Sequence, residues 1–464
     1  MFKYAFIFLT LINQEVTTLF HTVKLSKSDP TPIYIQLASE LAKLIQADVL
    51  YAGMKLPTIR LLSKQLSINR DTVVSAYKLL EQQGLVESHI GKGTYIAPKR
   101  TNNSNANIVT TSTKPNFCCS NLVFSSNFYP TSLCHEISTK IIDKEGWEAF
   151  TDPLYRARHS LKQNIAAFLQ NKLHIDAYFA QVKVITSYED FLLNLFKIFP
   201  KVGICCEELR DLSSSCYLRS IGAKISEIPL TTEGLDLDIL EKYLKSGTIS
   251  YIFVSPILQN PTGLCYSEEN KHKLLELATK YDAYIIEDGT YSDFAPKTPS
   301  LYSMCTDARV IYLYHFSKIY LPYMKYSFAL LPSGIMKRCP EEIDCSFNER
   351  FLHYYLESED LNKIYTSIHS ECAKRYNKLL EVVYKYKDYV TIENTKPGLW
   401  IWAKINGIGT DKFYTLLTEN SIIVSPSKLF SLANQDGYFR ISISEISLNA
   451  IEELDDKLNK ALTT

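Results

Sequence analysis

Hydrophobic positions follow more than one period along this chain, and the changes of period divide it. From Pro32, residues Ile33, Leu37, Leu41, Leu44 and Ile45 keep the spacing of one helical face, with the proline where a first turn tolerates it. Pro57 and Thr58 open a second, shorter helix whose apolar face is Leu61, Leu62 and Leu66, ending before Ser67-Ile68-Asn69. Asn69 caps a third helix with Val73, Tyr77 and Leu80 on one side, and Gly84 ends it as a left-handed residue. Leu85-Val86-Glu87 and Thr94-Tyr95-Ile96 then flank a Gly91-Lys92-Gly93 turn. Three helices and a hairpin predict a winged helix-turn-helix over residues 29–98.

Between residues 99 and 127 the period is lost among Asn, Ser and Thr, which predicts a linker. From residue 128 to 464, short runs rich in β-branched residues alternate with longer helical patterns. Val182 to Ile185, Ser250 to Ser255, Tyr284 to Glu287 and Arg309 to Leu313 are the clearest strands. That alternation predicts an α/β domain with a mostly parallel sheet covered on both faces. Residues 1–28 form an N-terminal extension. Its apolar stretch Phe2 to Ile12 after Lys3 is superficially like a signal peptide, but it has no small-residue cleavage site and is too short to span a bilayer. An extended or misassigned translation start is the plainer alternative, and the expectation is a cytoplasmic protein off the membrane.

Composition narrows this picture. A chain of 464 residues calls for two or three folding units. Fifty basic residues balance fifty acidic ones, so a DNA-binding surface must be local. Between Asp29 and Arg100, nine Lys and Arg stand against six Asp and Glu. The eleven cysteines include the pairs Cys118-Cys119 and Cys205-Cys206 but no C-x-x-C or Cys/His spacing suited to zinc. They read as free thiols in a reducing compartment, with no metal site.

The first turn of the third helix presents Asn69, Arg70 and Thr72, side chains suited to base edges and phosphates in a major groove. Arg60 would steady a backbone contact, and Lys92 between two glycines brings charge to a phosphate or a minor groove. The plainer alternative is a small helical domain that docks on protein, with these arginines merely solvated. Pro32-Ile33-Tyr34, Leu56-Pro57-Thr58-Ile59-Arg60, Asn69-Arg70-Asp71-Thr72-Val73, the run Leu79 to Val86 and Gly91-Lys92-Gly93-Thr94 resemble the winged-helix domain of GntR-family regulators. That resemblance implies a double-stranded DNA operator.

In the larger region, Asn260-Pro261-Thr262-Gly263 follows one strand, Asp288 ends another with Tyr291 three residues on, and Lys318 in His315-Phe316-Ser317-Lys318 follows a third. Side chains at the carboxyl ends of parallel strands lie where open α/β sheets bind ligands. Taken singly, the first string is an ordinary turn, the acid is a strand-end cap and the lysine is one among many. Pro397-Gly398-Leu399-Trp400 and Phe439-Arg440-Ile441-Ser442 complete the set, Arg440 having a strand arginine as its plain reading. Together these segments resemble fold-type I aminotransferases, and with the head they resemble MocR-type regulators.

The resemblance implies a pyridoxal phosphate (PLP)-dependent transferase fold with a small C-terminal α+β subdomain, and a homodimer sharing its sites. It implies that Lys318 bonds the cofactor aldehyde. Asn260 and Tyr291 face the ring oxygen, and Asp288 keeps the pyridine nitrogen protonated so that the ring draws electrons. His315, Ser317 and Lys325 join the cofactor contacts, and Arg440 pairs with a substrate carboxylate. Lys318 must be neutral to attack an aldehyde, which partial burial beside another cation favours.

Departures cluster at the phosphate. His315 stands for the family's Ser or Thr and Lys325 for its arginine, and Thr186-Ser187-Tyr188-Glu189-Asp190 puts acids at a helix start where a dianion would sit. Glu207-Glu208-Leu209-Arg210-Asp211 has no tyrosine where the family often has one to line the pocket. An atypical phosphate site suits a sensor better than a fast enzyme, with turnover weak or absent. Three functions remain open: a regulator that senses a small amino compound through PLP on Lys318, an aminotransferase with a DNA-binding appendage, and a cofactor-free repressor whose large domain only dimerises.

Overall fold

A computed structural model describes residues 32–46, 56–66, 68–82, 84–89, 93–97, 117–119, 122, 124, 129–151, 155–198, 203–210, 218–219, 222–321, 324, 326–339, 346–393, 396–431 and 437–463. The chain divides into two compact units, Met1–Thr111 and Ser112–Thr464. The extension 1–28, the linker residues 99–116, Ser67, Gly91, Lys92 and Lys325, with the Leu44 side chain, lie outside the described residues.

The first unit runs α1 (Ile33–Gln46), α2 (Ile59–Leu66), α3 (Arg70–Gln82), β1 (Val86–His89) and β2 (Gly93–Ile96). The strands are antiparallel, with Val86 opposite Ile96. The Pro32 carbonyl accepts from the amides of Ile35 and Gln36, so the proline stands just before the first turn, where its missing N–H costs nothing. Thr58 Oγ1 caps α2 by accepting from Leu61 N at 3.3 Å. At the far end of α3, Gly84 takes φ +69° while Leu85 N reaches back to Leu80 O. This is the left-handed ending expected of that glycine.

Leu37, Leu41, Leu62, Val73, Ala76, Leu80, Val86 and Ile96 fill one core. Within it the Tyr77 hydroxyl donates to Pro57 O at 2.8 Å, and Leu56 N to Thr94 O at 2.9 Å, tying the start of α2 to both α3 and the wing. Leu61 departs from expectation, being 39% exposed while Leu62 is fully buried. Neighbouring helical residues point about 100° apart, so a two-turn helix turns only one of the pair to the core.

In the second unit, β3 (Val182–Ile185), α4 (Tyr188–Lys197), β4 (Gly203–Glu207), β5 (Lys224–Ile228), β6 (Ile249–Val254), α5 (Glu268–Lys280), β7 (Tyr284–Asp288), β8 (Val310–Tyr314) and β9 (Ser327–Leu330) build a seven-stranded sheet and part of its cover. The strand order is β3-β9-β8-β7-β6-β4-β5. Only β9 is antiparallel to its neighbours. Ile286 packs with Phe191 and Leu195 of α4, whereas Ile285 packs with Leu274 and Ala278 of α5. Successive side chains on one strand thus meet helices on opposite faces, as in a doubly covered sheet.

The 25-residue helix α6 (Asp360–Tyr384) leads to a smaller antiparallel sheet of β10 (Val390–Ile392), β11 (Trp400–Ile405), β12 (Ser425–Pro426) and β13 (Tyr438–Ser442), with α7 (Leu448–Thr463) closing the chain. This is the expected small α+β subdomain. The expected linker reaches residue 127, but its end is built into this unit. Phe117–Cys118 pairs in parallel with Ile422–Ile423, and Cys119 and Phe124 are buried. The Asn and Ser content there hid an apolar set that pairs with a second two-residue strand. Among the described residues no helix is long and apolar enough to cross a membrane.

Leu62→Ala should destabilise the first unit by about 2–5 kcal/mol, whereas Leu61→Ala should stay within about 0.5 kcal/mol of wild type. Thermal unfolding of the full chain, followed on the helical signal of the first unit, distinguishes the two. Equal losses would show the core side of α2 to be misassigned.

Candidate functional site

Strands β6, β7 and β8 are adjacent and parallel, with Glu287 opposite Val254 and Asp288 opposite Leu313. Their carboxyl ends therefore share one edge of the sheet. Asn260 lies in the connection leaving β6, Asp288 is the last residue of β7, and Lys318 sits in the helical turn Phe316–Ile319 that follows β8. Three of the predicted residues are brought to that edge by topology alone.

The turn carrying Asn260 is shaped by its neighbour. Gln259 Oε1 accepts from Thr262 N at 3.1 Å and Thr262 Oγ1 at 2.6 Å, and Gly263, at φ +70°, donates its amide to Gln259 O. Gln259 Nε2 in turn donates to Glu207 Oε2 at 3.0 Å. Asn260 Oδ1 accepts from Arg440 Nη1 at 2.5 Å, which commits the amide oxygen and leaves the NH2 as the group able to donate elsewhere. Arg440 is buried rather than exposed on its strand. Its guanidinium also donates to Ser425 Oγ at 3.4 Å and lies 4.8 Å from the Phe430 ring centre.

Asp288 is half-buried, and its Oδ1 accepts from Thr290 N at 3.0 Å and from the Thr290 hydroxyl. Gly289 permits this turn because a Cβ there would lie 2.2 Å from the Tyr312 hydroxyl oxygen. Tyr291, predicted to offer its phenol to a cofactor, is buried edge-on against Trp400 with ring centres 5.0 Å apart. Lys318 is exposed, not partly buried as its expected chemistry suggested. The edge it stands on opens to solvent.

Several residues expected at the phosphate make hydrogen bonds within the protein. His315 Nδ1 pairs with Ser327 Oγ at 2.8 Å, and Ser317 Oγ accepts from Tyr326 N at 2.7 Å, so both tie the lysine turn to β9. Ser187 caps α4 by accepting from Asp190 N at 3.2 Å, using one of the amides that a helix start offers an anion. Asp190 is exposed, and the Tyr188 and Glu189 side chains lie outside the described residues. After β4, Leu209 packs with Trp402 and Phe430, and Arg210 pairs with Glu227 at 3.2 Å.

Two buried carboxylates flank the site beneath its surface, and sequence reasoning missed both. Glu207 accepts from Ser255 N, the Tyr266 hydroxyl and Gln259 Nε2, and burial pushes its carboxyl up to about 7. Glu287 accepts from the amides of Leu301 and Tyr302 and is likewise raised to about 7 by burial. The available signal was a single Glu closing each apolar run, Gly203-Ile204-Cys205-Cys206-Glu207 and Tyr284-Ile285-Ile286-Glu287. In the first unit, Arg60, Asn69 and Arg70 are exposed and Thr72 is half-buried. Asn69 Oδ1 accepts from Asp71 N at 3.4 Å, so this residue faces its own helix as a cap.

Comparison with known proteins agrees with both units. Residues 33–96 match the model for bacterial regulatory proteins of the gntR family, and residues 120–322 match that for aminotransferase class I and II. The HTH-type transcriptional regulator YcxD of Bacillus subtilis, itself uncharacterised, is 26% identical over 344 residues, 70% of this chain and 74% of that protein. A protein of Rhizobium meliloti named as the probable rhizopine catabolism regulatory protein MocR is 25% identical over 334 residues, 66% of this chain and 67% of its own length. An archaeal alanine:glyoxylate aminotransferase superposes with a TM-score of 0.66 at 20% identity, covering 74% of this chain and 90% of that one. LysN of Thermus thermophilus, an α-aminoadipate aminotransferase solved with N-(5'-phosphopyridoxyl)-L-leucine, superposes at 0.64 and 20% identity over 74% and 91% of the two chains. At these identities the structural likeness is one of fold: the large unit has the fold of fold-type I aminotransferases, and the head matches the gntR-family model over residues 33–96.

The raised carboxyl of Glu287 gives a pH dependence with a definite sign. The folded state binds its proton more tightly than the unfolded state, so the stability it contributes is present below the ordinary carboxylate range and is lost as pH rises through about 7. Glu287→Gln, which cannot ionise, should flatten the fall in melting temperature of the second unit between pH 5 and 8. A variant with the wild-type slope would show that Glu287 does not titrate there.

Proposed function

We propose that this chain, which joins a gntR-family helix-turn-helix to an aminotransferase class I and II domain, is a DNA-binding transcriptional regulator whose large domain takes PLP on Lys318 and senses a small amino compound. The observation that carries the reading is that Asn260, Asp288 and Lys318 stand at or after the carboxyl ends of three adjacent parallel strands. In the head, exposed Arg60 and Arg70 stand at the starts of α2 and α3, the end of a helix-turn-helix that enters a major groove. Lys92, in the predicted wing, is taken as a further backbone contact. A DNA operator implies a cytoplasmic site of action, and the aminotransferase fold suggests a homodimer.

The described residues fit the ring of the cofactor. Asn260, with its oxygen held by Arg440, has an NH2 to donate to a ring oxygen; Asp288, fixed through one oxygen by Thr290, can hold a proton at a pyridine nitrogen; Lys318 presents an accessible amine. His315, Ser317 and Lys325 are the residues proposed to meet the phosphate. When bound, PLP supplies an aldehyde that exchanges one amine for another. Arg440 sits against Asn260, so an effector carboxylate would draw the guanidinium into a pair in which both partners are charged, stronger than its present bond to a neutral amide oxygen. Amino acids are therefore favoured over simple amines as effectors.

The inward bonds of Ser187 and His315 favour one alternative, a large domain that only dimerises. Colour separates the readings. Purified wild type with added PLP should show a visible absorbance band that Lys318→Ala lacks and that amino acids alter, whereas a colourless wild type would leave the cofactor-free alternative. Arg70→Ala should weaken binding to DNA selected by the wild-type chain from a random library by about 1–3 kcal/mol. An unchanged gel shift for that variant would remove the DNA-binding role of α3.

A further inference from the structure

Under Lys318 lies a buried cluster that the proposed chemistry does not use. Asp293, in the 3-10 turn Ser292–Phe294 that follows Tyr291, has a fully buried side chain. Its Oδ2 accepts from the Tyr314 hydroxyl at 3.2 Å and from the Tyr320 hydroxyl, and pairs with His369 Nε2 at 3.3 Å. Among the described residues Oδ1 has no hydrogen-bond partner, so these contacts on one oxygen hold the carboxylate. They come from three places: the end of β8, the turn that bears Lys318, and α6. The His369 ring is sandwiched between Phe294 and Tyr365, with ring centres 4.1 Å away on each side, and Tyr365 also stacks on Tyr320 at 5.8 Å.

An apolar side chain would pack at Asp293 without the cost of taking a carboxylate out of water, so packing alone does not account for an acid there. Its hydrogen bonds have a specific geometric effect. Tyr320 is two residues beyond Lys318, and its backbone amide closes the helical turn onto Phe316 O. Asp293 is five residues beyond Asp288, on the same loop as Tyr291. The bond between Tyr320 and Asp293 thus fastens the turn carrying the amine to the loop carrying the acid. On the other side, Ser317 fastens that turn to Tyr326.

Resting on the PLP reading, we infer that Asp293 is a positioning residue which, through the Tyr320 hydroxyl, locks the Lys318 turn to the Asp288–Tyr291 loop and so presents the amine to the cofactor. His369 extends the lock to α6, and movement of that helix would be felt at the lysine.

The test uses full-length Asp293→Asn and Tyr320→Phe, the second a mild change that keeps the ring and removes only the hydroxyl. Amide hydrogen exchange reports the lock without any cofactor. Both variants should exchange at least tenfold faster than wild type in a peptide spanning Lys318, with a peptide spanning β6 unchanged. Capture of added PLP, stopped with borohydride and measured as the mass adduct on Lys318, should slow at least tenfold in each variant and no further in the double variant. Wild-type exchange in Tyr320→Phe would overturn the lock, and wild-type capture rates despite faster exchange would overturn its role in presenting the amine. If wild type itself forms no adduct, the PLP reading falls and the presentation of the amine falls with it, while exchange still decides whether Asp293 fixes the turn.

Discussion

The second unit depends on the parallel pairing of β6, β7 and β8. A parallel pair requires a crossover, and a crossover returns each strand in the same direction, so residues that follow the strands accumulate at one edge whatever their distance along the chain. Asn260, Asp288 and Lys318 are placed after the carboxyl ends of these strands by that constraint. Leu274 and Ala278 on one face, and Phe191 and Leu195 on the other, hold the strands from both sides. The strand ends at that edge are thus held by the core beneath them.

Burial of charge next to that edge follows from the same constraint. Strand alternation turns Glu287 into the α5 side while Asp288 reaches the edge, and Glu207 ends β4, on the other side of β6, inside the core. Each such carboxylate is tolerated because specific donors converge on it: two backbone amides on Glu287, and an amide, a phenol and a side-chain amide on Glu207. Those donors belong to the segments that carry the site. Glu207 holds Gln259, which shapes the Asn260 turn, and Asp293 holds Tyr320 beside Lys318. A buried acid here acts as a local fastener, and its desolvation is offset by hydrogen bonds that also fix loop geometry.

What was legible in the sequence is what depends on local period or on the order of strand-end residues. Gly84 and Asn69 announce the ends of α3 because turn and cap chemistry is local, and the runs at β3, β6, β7 and β8 announce strands because β-branched residues fill buried positions. The face of α2 was less legible, since Leu61 and Leu62 are both apolar and only packing chooses between them. Phe117–Cys118 was hidden because a two-residue strand has no period to detect. The bond between Asn260 and Arg440 joins residues 180 positions apart, and Asp293 gathers partners from β8, the lysine turn and α6. Neither leaves a mark in any window of sequence. His315 and Ser317 were noticed for their position, but their neighbours, Ser327 and the Tyr326 amide, become visible only once β9 folds back antiparallel.

The two ends of the candidate pocket differ in how their groups are committed, and the difference bears on the function proposed. At the ring end, Arg440 and Thr290 each occupy one oxygen of Asn260 and Asp288, which orients these groups while preserving the atoms a ring would meet. Where a phosphate is proposed, the Ser187 cap takes a helix-start amide and His315 Nδ1 pairs with Ser327, while the Ser317 hydroxyl, which accepts from the Tyr326 amide, keeps its own proton to donate. A ligand held strongly by its anion would stay bound whatever the amine, and its occupancy would carry little information. Under weaker anchoring, retention of PLP on the proposed Lys318 would depend on the reversible bond there and on which amine competes for it. A ligand shifts an equilibrium only by the difference in its affinity for the two states, so a site whose occupancy responds to the amine is able to report it. The same asymmetry that would slow an enzyme needing a fixed cofactor through many turnovers is thus compatible with a regulator that reads the cofactor and its amine together.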